Sequence, residues 1–314
     1  MTEVRSFRIV FFGTPSFAVP SLQALLDGPD VVVGVVCQPD RPAGRGQHLH
    51  VPPVKGLASS RGIPVAQPEK LRSGESPLQL RAWKPDLCVV AAYGRILPPA
   101  ILELPPLGCI NVHASLLPKY RGAAPIQWAI LRAEAVTGIT IMQMNERMDE
   151  GDIRLQRQTP IGSDETFGEL EERLAHLGAA ALTEALVLLR AGELPRARQD
   201  DAQATLARMI SKEDGRIDWH LPAVEIVRRV RAFNPWPSAF TFLEGKLLKI
   251  HRARMVAGAA DDSAGVVVRV GDKIEIGTGR DRLAVEELQL AGRKRLAAAE
   301  FARGGLVVAG TRLG

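Results

Sequence analysis

The sequence predicts an α/β protein, with a doubly wound, mostly parallel sheet followed by a small C-terminal β-barrel domain. Three observations support this prediction. Apolar runs alternate with helical patterns over residues 1–192, a polar stretch follows at 193–210, and short strand patterns with close turns occupy 211–314. Strands of a parallel sheet are largely apolar because helices cover both of its faces. The chain of 314 residues is long enough for two such domains.

The first domain contains five predicted strands. They are FRIVFF (7–12), VVVGVVC (31–37), DLCVVAAY (86–93), GCINV (108–112) and TGITIMQM (137–144). Helix-like segments such as SFAVPSLQALLD and PVKGLASSRG lie between them. A doubly wound, Rossmann-like sheet of this kind binds its ligands at the carboxyl ends of the strands. The first turn lacks the second and third glycines of the GxGxxG pattern, so we expect no dinucleotide there.

The later segments predict a helix, a linker and a barrel. Apolar residues recur at three- and four-residue spacing over 166–192, which predicts one long amphipathic helix. Residues 193–210 lack strong periodicity and are interpreted as a linker. A short helix pattern then covers 222–233. The remaining strands are separated by turns such as Glu244-Gly245 and Gly271-Asp272, which is typical of a small, OB-like barrel.

Composition and charge limit the class of protein. The chain is 46% hydrophobic and 24% charged, as globular proteins are. We see no apolar run long enough to cross a bilayer and no targeting segment, so we expect a cytoplasmic protein without membrane contact. Cys37, Cys88 and Cys109 lie in apolar runs without metal-ligand spacing, so we expect no metal. The formal net charge of +5 arises within 210–314, which suggests a neutral catalytic domain joined to a domain that binds polyanions.

Polar side chains at the end of the fourth strand are the first candidates for chemistry. Asn111 and His113 are two residues apart, so they share one face of the strand where it leaves the sheet. An asparagine amide donates to a developing oxyanion, and a histidine exchanges protons near neutral pH. Asp149, in the loop after the fifth strand, is suited to orient a histidine. From the residues alone, two satisfied core polar groups and a turn aspartate remain the alternative.

At this point the sequence resembles the folate-dependent formyltransferases. The resemblance rests on Asn111, His113 and Asp149 together with the loop SLLPKYRGAAP. It extends over nearly the whole chain through GTPSFAVPSLQALL, CQPDRPAGRG, AAYGRILPP, LGCINVHASLLPKYRGAAPIQWAI, TGITIMQM, DEGD and RAFNPWP. Within that family, these motifs are most similar to the members that act on initiator tRNA. Ala114 differs from the glycine that is frequent in the family at this position, and residues 297–314 match less clearly.

The resemblance implies an activity and a set of site residues. The activity is transfer of the formyl group of 10-formyltetrahydrofolate to the α-amino group of methionine on initiator methionyl-tRNA. Asn111, His113 and Asp149 would carry the chemistry without a metal. The folate would bind at two loops, formed by Ser115, Leu116, Leu117 and Pro118 and by Arg95, Ile96 and Leu97. We also expect a monomer.

The resemblance further implies how the tRNA is bound. Arg41 and Arg45 lie in the loop CQPDRPAGRGQHL, which would enter the acceptor end of the tRNA and sense the weak first base pair of the initiator. Further candidates for phosphate contacts lie in the basic C-terminal domain: Arg228, Arg229, Arg231, Lys246, Lys249, Arg252, Arg254, Arg293, Lys294 and Arg295.

Two other classes of function remain open at this stage. A 10-formyltetrahydrofolate hydrolase, or a formyltransferase acting on another amine, would use the same Asn-His-Asp set. A nucleic-acid-binding protein without activity is the second alternative, although binding alone does not require those three residues. Formation of formyl-methionine on initiator tRNA discriminates among all three.

Overall fold

The computed structural model describes residues 6–43, 48–71, 76–259 and 262–314. They form two compact units. The first draws on Met1–Pro125, Val136–Pro160 and Glu171–Arg208, and the second on Ile126–Ala135, Ile161–Leu170 and Met209–Gly314. Residues 193–208, for which the sequence suggests a linker, therefore group with the first unit by their contacts. Where the functional domains begin and end stays a prediction.

The elements follow the predicted alternation of strands and helices. The strands are β1 Arg8–Gly13, β2 Val31–Val36, β3 Arg41–Ala43, β4 His48–His50, β5 Val65–Ala66, β6 Leu87–Ala91, β7 Cys109–His113, β8 Arg121–Gly122, β9 Val136–Gln143, β10 Ile153–Pro160, β11 Leu206–Ala207, β12 Ala239–Leu243, β13 Lys246–Val256, β14 Val267–Val270, β15 Ile274–Gly277, β16 Arg282–Leu290 and β17 Leu296–Ala297. The helices are α1 Val19–Asp27, α2 Pro53–Ser60, α3 Ser76–Ala82, α4 Pro99–Leu102, α5 Pro125–Leu131, α6 Phe167–Ala191, α7 Ala223–Ala232 and α8 Ala298–Arg303.

The first unit is built on a seven-stranded sheet of order β10-β9-β7-β6-β1-β2-β5. The pairs β1–β2, β1–β6, β6–β7 and β2–β5 are parallel, which confirms the mostly parallel, Rossmann-like fold. Its apolar strands are buried, with Val10, Phe12, Val36 and Val90 in one core cluster. The parallel strands β1, β2, β6 and β7 therefore share one carboxyl edge, at which β7 ends with His113.

The fifth predicted strand departs from the parallel arrangement. β9 runs antiparallel to β7, with His113 opposite Thr140 and Ile110 opposite Gln143. A parallel neighbour requires a crossover that returns the chain to the starting edge of the sheet. The chain instead enters β9 beside the end of β7, so the two strands run in opposite directions. β10 was not predicted, because IRLQRQTP is half exposed and lacks a continuous apolar run.

The long helix α6 also corrects an expectation. Its length and composition would allow it to cross a membrane, contrary to the expectation that no apolar run is long enough. The core helix of a globular protein passes the same test, and 39% of the relevant window is buried inside the protein. Leu174 and Leu182 are fully buried, and Gly178 lies close to Val112 of β7. The apolar face of α6 thus covers the sheet of the first unit.

The second unit contains an antiparallel sheet, as the sequence predicts. Its path is β12-β13-β16-β15-β14, and β17 pairs with β16. Glu244 and Gly245 both have positive φ, as a two-residue type I′ hairpin between β12 and β13 requires. Helix α7 contributes Ile226 and Val230 to the core of this sheet. The antiparallel domain is confirmed, and the pairings among its described residues form an open path from β12 to β14.

Candidate active site

Asn111 and His113 lie on one face of β7, near its C-terminal end. Asn111 stands between Val90 of β6 and Met142 of β9, and it is half-buried. His113 is the last residue of the strand and is 5% exposed. Because alternate residues share a face, the amide and the imidazole project to the same side of the sheet. This is the arrangement that the sequence predicts.

The imidazole of His113 is hydrogen-bonded at one ring nitrogen and faces a carboxylate with the other. Its Nε2 lies 3.0 Å from the backbone oxygen of Tyr120, which can only accept, so Nε2 carries a proton. Its Nδ1 lies 3.7 Å from Oδ1 of Asp149, which is longer than a direct hydrogen bond. This distance leaves room for a substrate atom or a water between the two groups.

Asp149 reaches His113 from a loop whose backbone is tightly constrained. Oδ2 of Asp149 accepts a hydrogen bond from the backbone N–H of Gly122 at 2.9 Å. The residue has a φ of 55°, in the left-handed region that non-glycine residues rarely adopt. Because β9 ends at the far edge from His113, the loop has to fold back to bring this carboxylate to the imidazole. The structure thus groups His113 and Asp149, as the sequence predicts.

Gly151 supplies the sharpest steric constraint in this loop. A Cβ at this position would lie 1.7 Å from the backbone oxygen of Gln143, so any larger residue must displace backbone. We expect Gly151→Ala to lower the free energy of unfolding by about 1–3 kcal/mol and to reduce activity, because the Asp149 loop has to move. Thermal unfolding and turnover measure the two effects.

The matched control for that prediction is Gly56→Ala. Gly56 lies in α2, and its added Cβ would meet no atom within 4 Å. We expect this change to be neutral or to stabilise the helix by up to about 1 kcal/mol. A Gly151→Ala protein with wild-type stability and turnover would show that the loop accommodates the methyl group.

The loop Ser115–Pro118 is fixed by a residue that the sequence did not single out. Thr140 Oγ1 donates to the backbone oxygen of Ser115 at 2.7 Å and accepts from the backbone N–H of Leu117 at 3.1 Å. Ser115 Oγ is itself buried and donates to the oxygen of Lys119 at 2.6 Å. Leu117 is buried, whereas Leu116 and Pro118 are half-buried. A threonine inside the apolar run TGITIMQM was the available sequence signal for this contact.

The loop Arg95–Leu97 follows β6 at the same edge of the sheet. The Arg95 guanidinium donates to the backbone oxygens of Pro68 and Glu69, so this arginine holds the neighbouring loop. Ile96 is 66% exposed, and Leu97 is 2% exposed within the core. Ile96 therefore offers apolar surface to a ligand, while Leu97 anchors the loop in the core. The contacts of these residues with a folate stay a prediction.

A buried thiol and a buried phenol near this edge are poorly suited to nucleophilic or acid–base chemistry. Burial raises the pKa of the Cys37 thiol to about 11 and the pKa of the Tyr93 hydroxyl to about 12. Both groups therefore stay protonated at neutral pH, so Cys37 is not an activated nucleophile. Within the described residues, no group of three or more His, Cys, Asp or Glu side chains could hold a metal ion.

The arginine loop is described only in part. Arg41 is exposed on β3, which pairs with β4 to form a short hairpin, and Arg45 lies outside the described residues. The base of the hairpin is anchored by Asp40, which accepts from Gln67 at 2.7 Å and from Lys55 at 2.6 Å. These hydrogen bonds, that of Gln67 first, lower the pKa of the Asp40 carboxyl. The carboxylate is therefore charged at neutral pH and stably paired.

The basic residues of the second unit divide into two groups. Four of the ten candidates are bound to protein groups: Arg231 donates to backbone oxygens of Gly162 and Glu165, and Arg252, Arg254 and Arg295 pair with Glu169, Glu286 and Glu287. These four stabilise the unit itself. The other six candidates are Arg228, Arg229, Lys246, Lys249, Arg293 and Lys294, and polyanion contact by any of the ten stays a prediction.

Comparison with known protein families agrees with this fold. A formyl transferase model matches residues 7–186, and a model of the formyl transferase C-terminal domain matches residues 209–306. The parallel sheet with polar groups at the end of β7, followed by an antiparallel domain, therefore defines a formyl-group transferase.

Curated relatives narrow the family further. The chain is 50% identical to the methionyl-tRNA formyltransferase of Geobacter sulfurreducens, over 98% of this chain and 96% of the relative. It is 51% identical to the methionyl-tRNA formyltransferase of Desulfotalea psychrophila, over 99% and 97% respectively. The chain belongs to the methionyl-tRNA formyltransferase family.

Solved structures share the fold at low sequence identity. The sugar 3N-formyl transferase WlaRD, solved in the presence of dTDP and 5-N-formyl-THF, superposes with a TM-score of 0.65 at 18% identity, covering 92% of this chain and 100% of its own. HypX from Aquifex aeolicus, in complex with tetrahydrofolic acid, superposes with a TM-score of 0.61 at 18% identity over 95% of this chain. This chain spans 47% of the HypX chain.

Proposed function

We propose that the protein transfers the formyl group of 10-formyltetrahydrofolate to the α-amino group of methionine on initiator methionyl-tRNA. The observation that carries the proposal is the grouping of His113 with Asp149 beside Asn111, in a chain of this family. The folates bound in two structures of the same fold support the choice of formyl donor. An enzyme that acts on charged tRNA works where translation takes place, so we propose a cytoplasmic protein.

In the proposed mechanism, Asn111 and His113 stabilise the oxygen on which charge develops. The amine nitrogen attacks the formyl carbon, a new N–C bond forms, and the carbonyl oxygen becomes an oxyanion. The Asn111 amide donates to that oxygen, and Nδ1 of His113 donates to it in the protonated ring. Because Nε2 is already committed to the Tyr120 oxygen, Nδ1 is the nitrogen available to the substrate.

Asp149 and water complete the proton balance. An α-amino group has a pKa of about 8, so a part of it is neutral and able to attack at physiological pH. The amine loses one proton after attack, which passes through water to the Asp149 carboxylate. The oxyanion then re-forms the carbonyl as the bond between the formyl carbon and the folate nitrogen breaks. That nitrogen takes up the proton held by Asp149, returned through the water, so the carboxylate is regenerated. The mechanism forms no covalent bond to the protein.

The folate would bind against the two loops beside β6 and β7. Ile96 offers apolar surface for a flat ring, and the backbone of Arg95–Leu97 offers hydrogen-bonding groups to its edge. The half-buried Leu116 and Pro118 would form the other wall. Thr140 and Gln156, which both bond to Leu117, hold that wall in place.

The experiment that tests this function is a transfer assay with two charged tRNAs. Purified protein is incubated with 10-formyltetrahydrofolate and methionyl-tRNA, either initiator or elongator, and formyl-methionine is measured. We expect formylation of the initiator only. Hydrolysis of the formyl donor without transfer would favour the hydrolase alternative. Formylation of another amine in place of methionyl-tRNA would show that tRNA is not the substrate.

Selection of tRNA is proposed to depend on the arginine loop. We expect Arg41→Ala and Arg45→Ala to raise KM for initiator methionyl-tRNA and to reduce the salt dependence of binding, because each loses a cationic contact. Folate affinity should stay unchanged. The matched control is Arg81→Ala, which removes an exposed arginine of the first unit on α3. Equal behaviour of all three variants would remove the loop from tRNA recognition.

A further inference from the structure

The loop that carries Asp149 is held by the side-chain amide of Gln199. This residue lies in the segment 193–210, for which the sequence suggests a linker. Gln199 is 5% exposed, and its Nε2 donates to the backbone oxygen of Asp149 at 2.8 Å and to that of Gly151 at 2.7 Å. These two bonds clamp the backbone on both sides of Glu150. Since Asp149 adopts a positive φ, contacts of this kind are what maintain its conformation.

The other end of the same amide is fixed by a buried arginine. Oε1 of Gln199 accepts from Nε of Arg121 at 3.0 Å and from a terminal nitrogen of Arg121 at 2.9 Å. Arginine only donates and a backbone oxygen only accepts, so a side chain between them has to accept at one end and donate at the other. The glutamine amide does both, whereas a glutamate carboxylate could keep only the bonds to Arg121.

The same segment also supports the partner of His113. Thr205 Oγ1 accepts from the backbone N–H of Tyr120 at 2.9 Å, and the backbone oxygen of Thr205 accepts from the N–H of Arg121 at 2.9 Å. The oxygen of Tyr120 is the group that fixes the His113 ring. Residues 199–205 therefore contact the supports of both His113 and Asp149.

We propose that Gln199 is a positioning residue for formyl transfer, which sets the direction of the Asp149 carboxylate through the backbone of its loop. Gln199 acts through Asp149 and does not touch the substrate. The inference rests on the proposed function, because it assigns Gln199 the task of aligning a group that the mechanism uses.

The test is the substitution Gln199→Glu in the full-length protein. We expect kcat to fall by about 10- to 100-fold, because a displacement of about 1 Å in a reacting group has effects of that size. KM for folate and for tRNA should stay within about twofold, because neither contacts this residue. Gln199→Met keeps the size of the side chain and removes its amide without adding charge, so kcat should fall similarly. Thermal unfolding identifies a variant that fails to fold. The control Gln203→Glu makes the same change at an exposed position of the same segment.

A double-substitution cycle separates positioning from a merely structural effect. In an Asp149→Ala background, Gln199→Glu should cause little further loss of kcat, because the group that it positions is gone. Independent, additive losses would overturn the inference, as would wild-type kcat in both folded Gln199 variants. If the wild-type protein does not formylate tRNA, or if Asp149→Ala retains full activity, the proposed function itself is wrong.

Discussion

Replacing His113 by alanine is expected to lower kcat by about 100- to 10,000-fold with saturating folate and tRNA, because a positioned acid–base group is lost. The ring is fixed by the Tyr120 oxygen at Nε2 and faces Asp149 at Nδ1. KM for either substrate should change much less than kcat, since the imidazole acts on the oxygen that develops charge during the reaction. Steady-state kinetics on initiator methionyl-tRNA measure both values.

Two further variants separate loss of chemistry from loss of fold. His113→Ala removes the hydrogen bond between Nε2 and the Tyr120 oxygen, which costs about 0.5–1.5 kcal/mol of stability. His113→Gln supplies an amide donor in its place, so we expect it to be more stable than His113→Ala and still inactive. His176→Ala removes an exposed histidine from α6 and should leave turnover unchanged. Near-normal turnover of His113→Ala would remove this residue from the mechanism.

Much of the fold, and the placement of Asn111 and His113 on one face of β7, could be predicted from the sequence because both follow from short-range patterns. Apolar runs identified the buried strands, and alternation on β7 placed Asn111 and His113 on one face. The direction of β9 could not be predicted in this way. A strand has the same apolar pattern whichever way it runs, and only the connection through residues 114–135 determines its direction.

Residues whose role depends on distant partners were missed for a different reason. Gln199 lies in a polar stretch without periodicity, and its function as a bridge depends on Arg121 and Asp149, far away in the sequence. Thr140 likewise bonds to residues of another loop. Polar residues in aperiodic segments carry no local signal of burial, so their contacts become visible only in the folded chain.

Replacing Asn111 is expected to have the second large effect. Asn111→Ala should lower kcat by about 100- to 1,000-fold, the loss that follows when one donor to an oxyanion is removed. Asn111 is half-buried, and its backbone pairs with β6 and β9, so the sheet fixes the position from which the side chain projects on the same face as His113. Stability should change little compared with kcat, because the surrounding strands remain paired.

The informative comparison is Asn111→Asp, which keeps the size of the side chain and removes its donor. If Asn111 acts by donating to the developing oxyanion, the aspartate variant should be at least as inactive as the alanine variant, because a carboxylate repels that charge. If the residue only fills space, the aspartate variant should retain activity and the alanine variant should lose it.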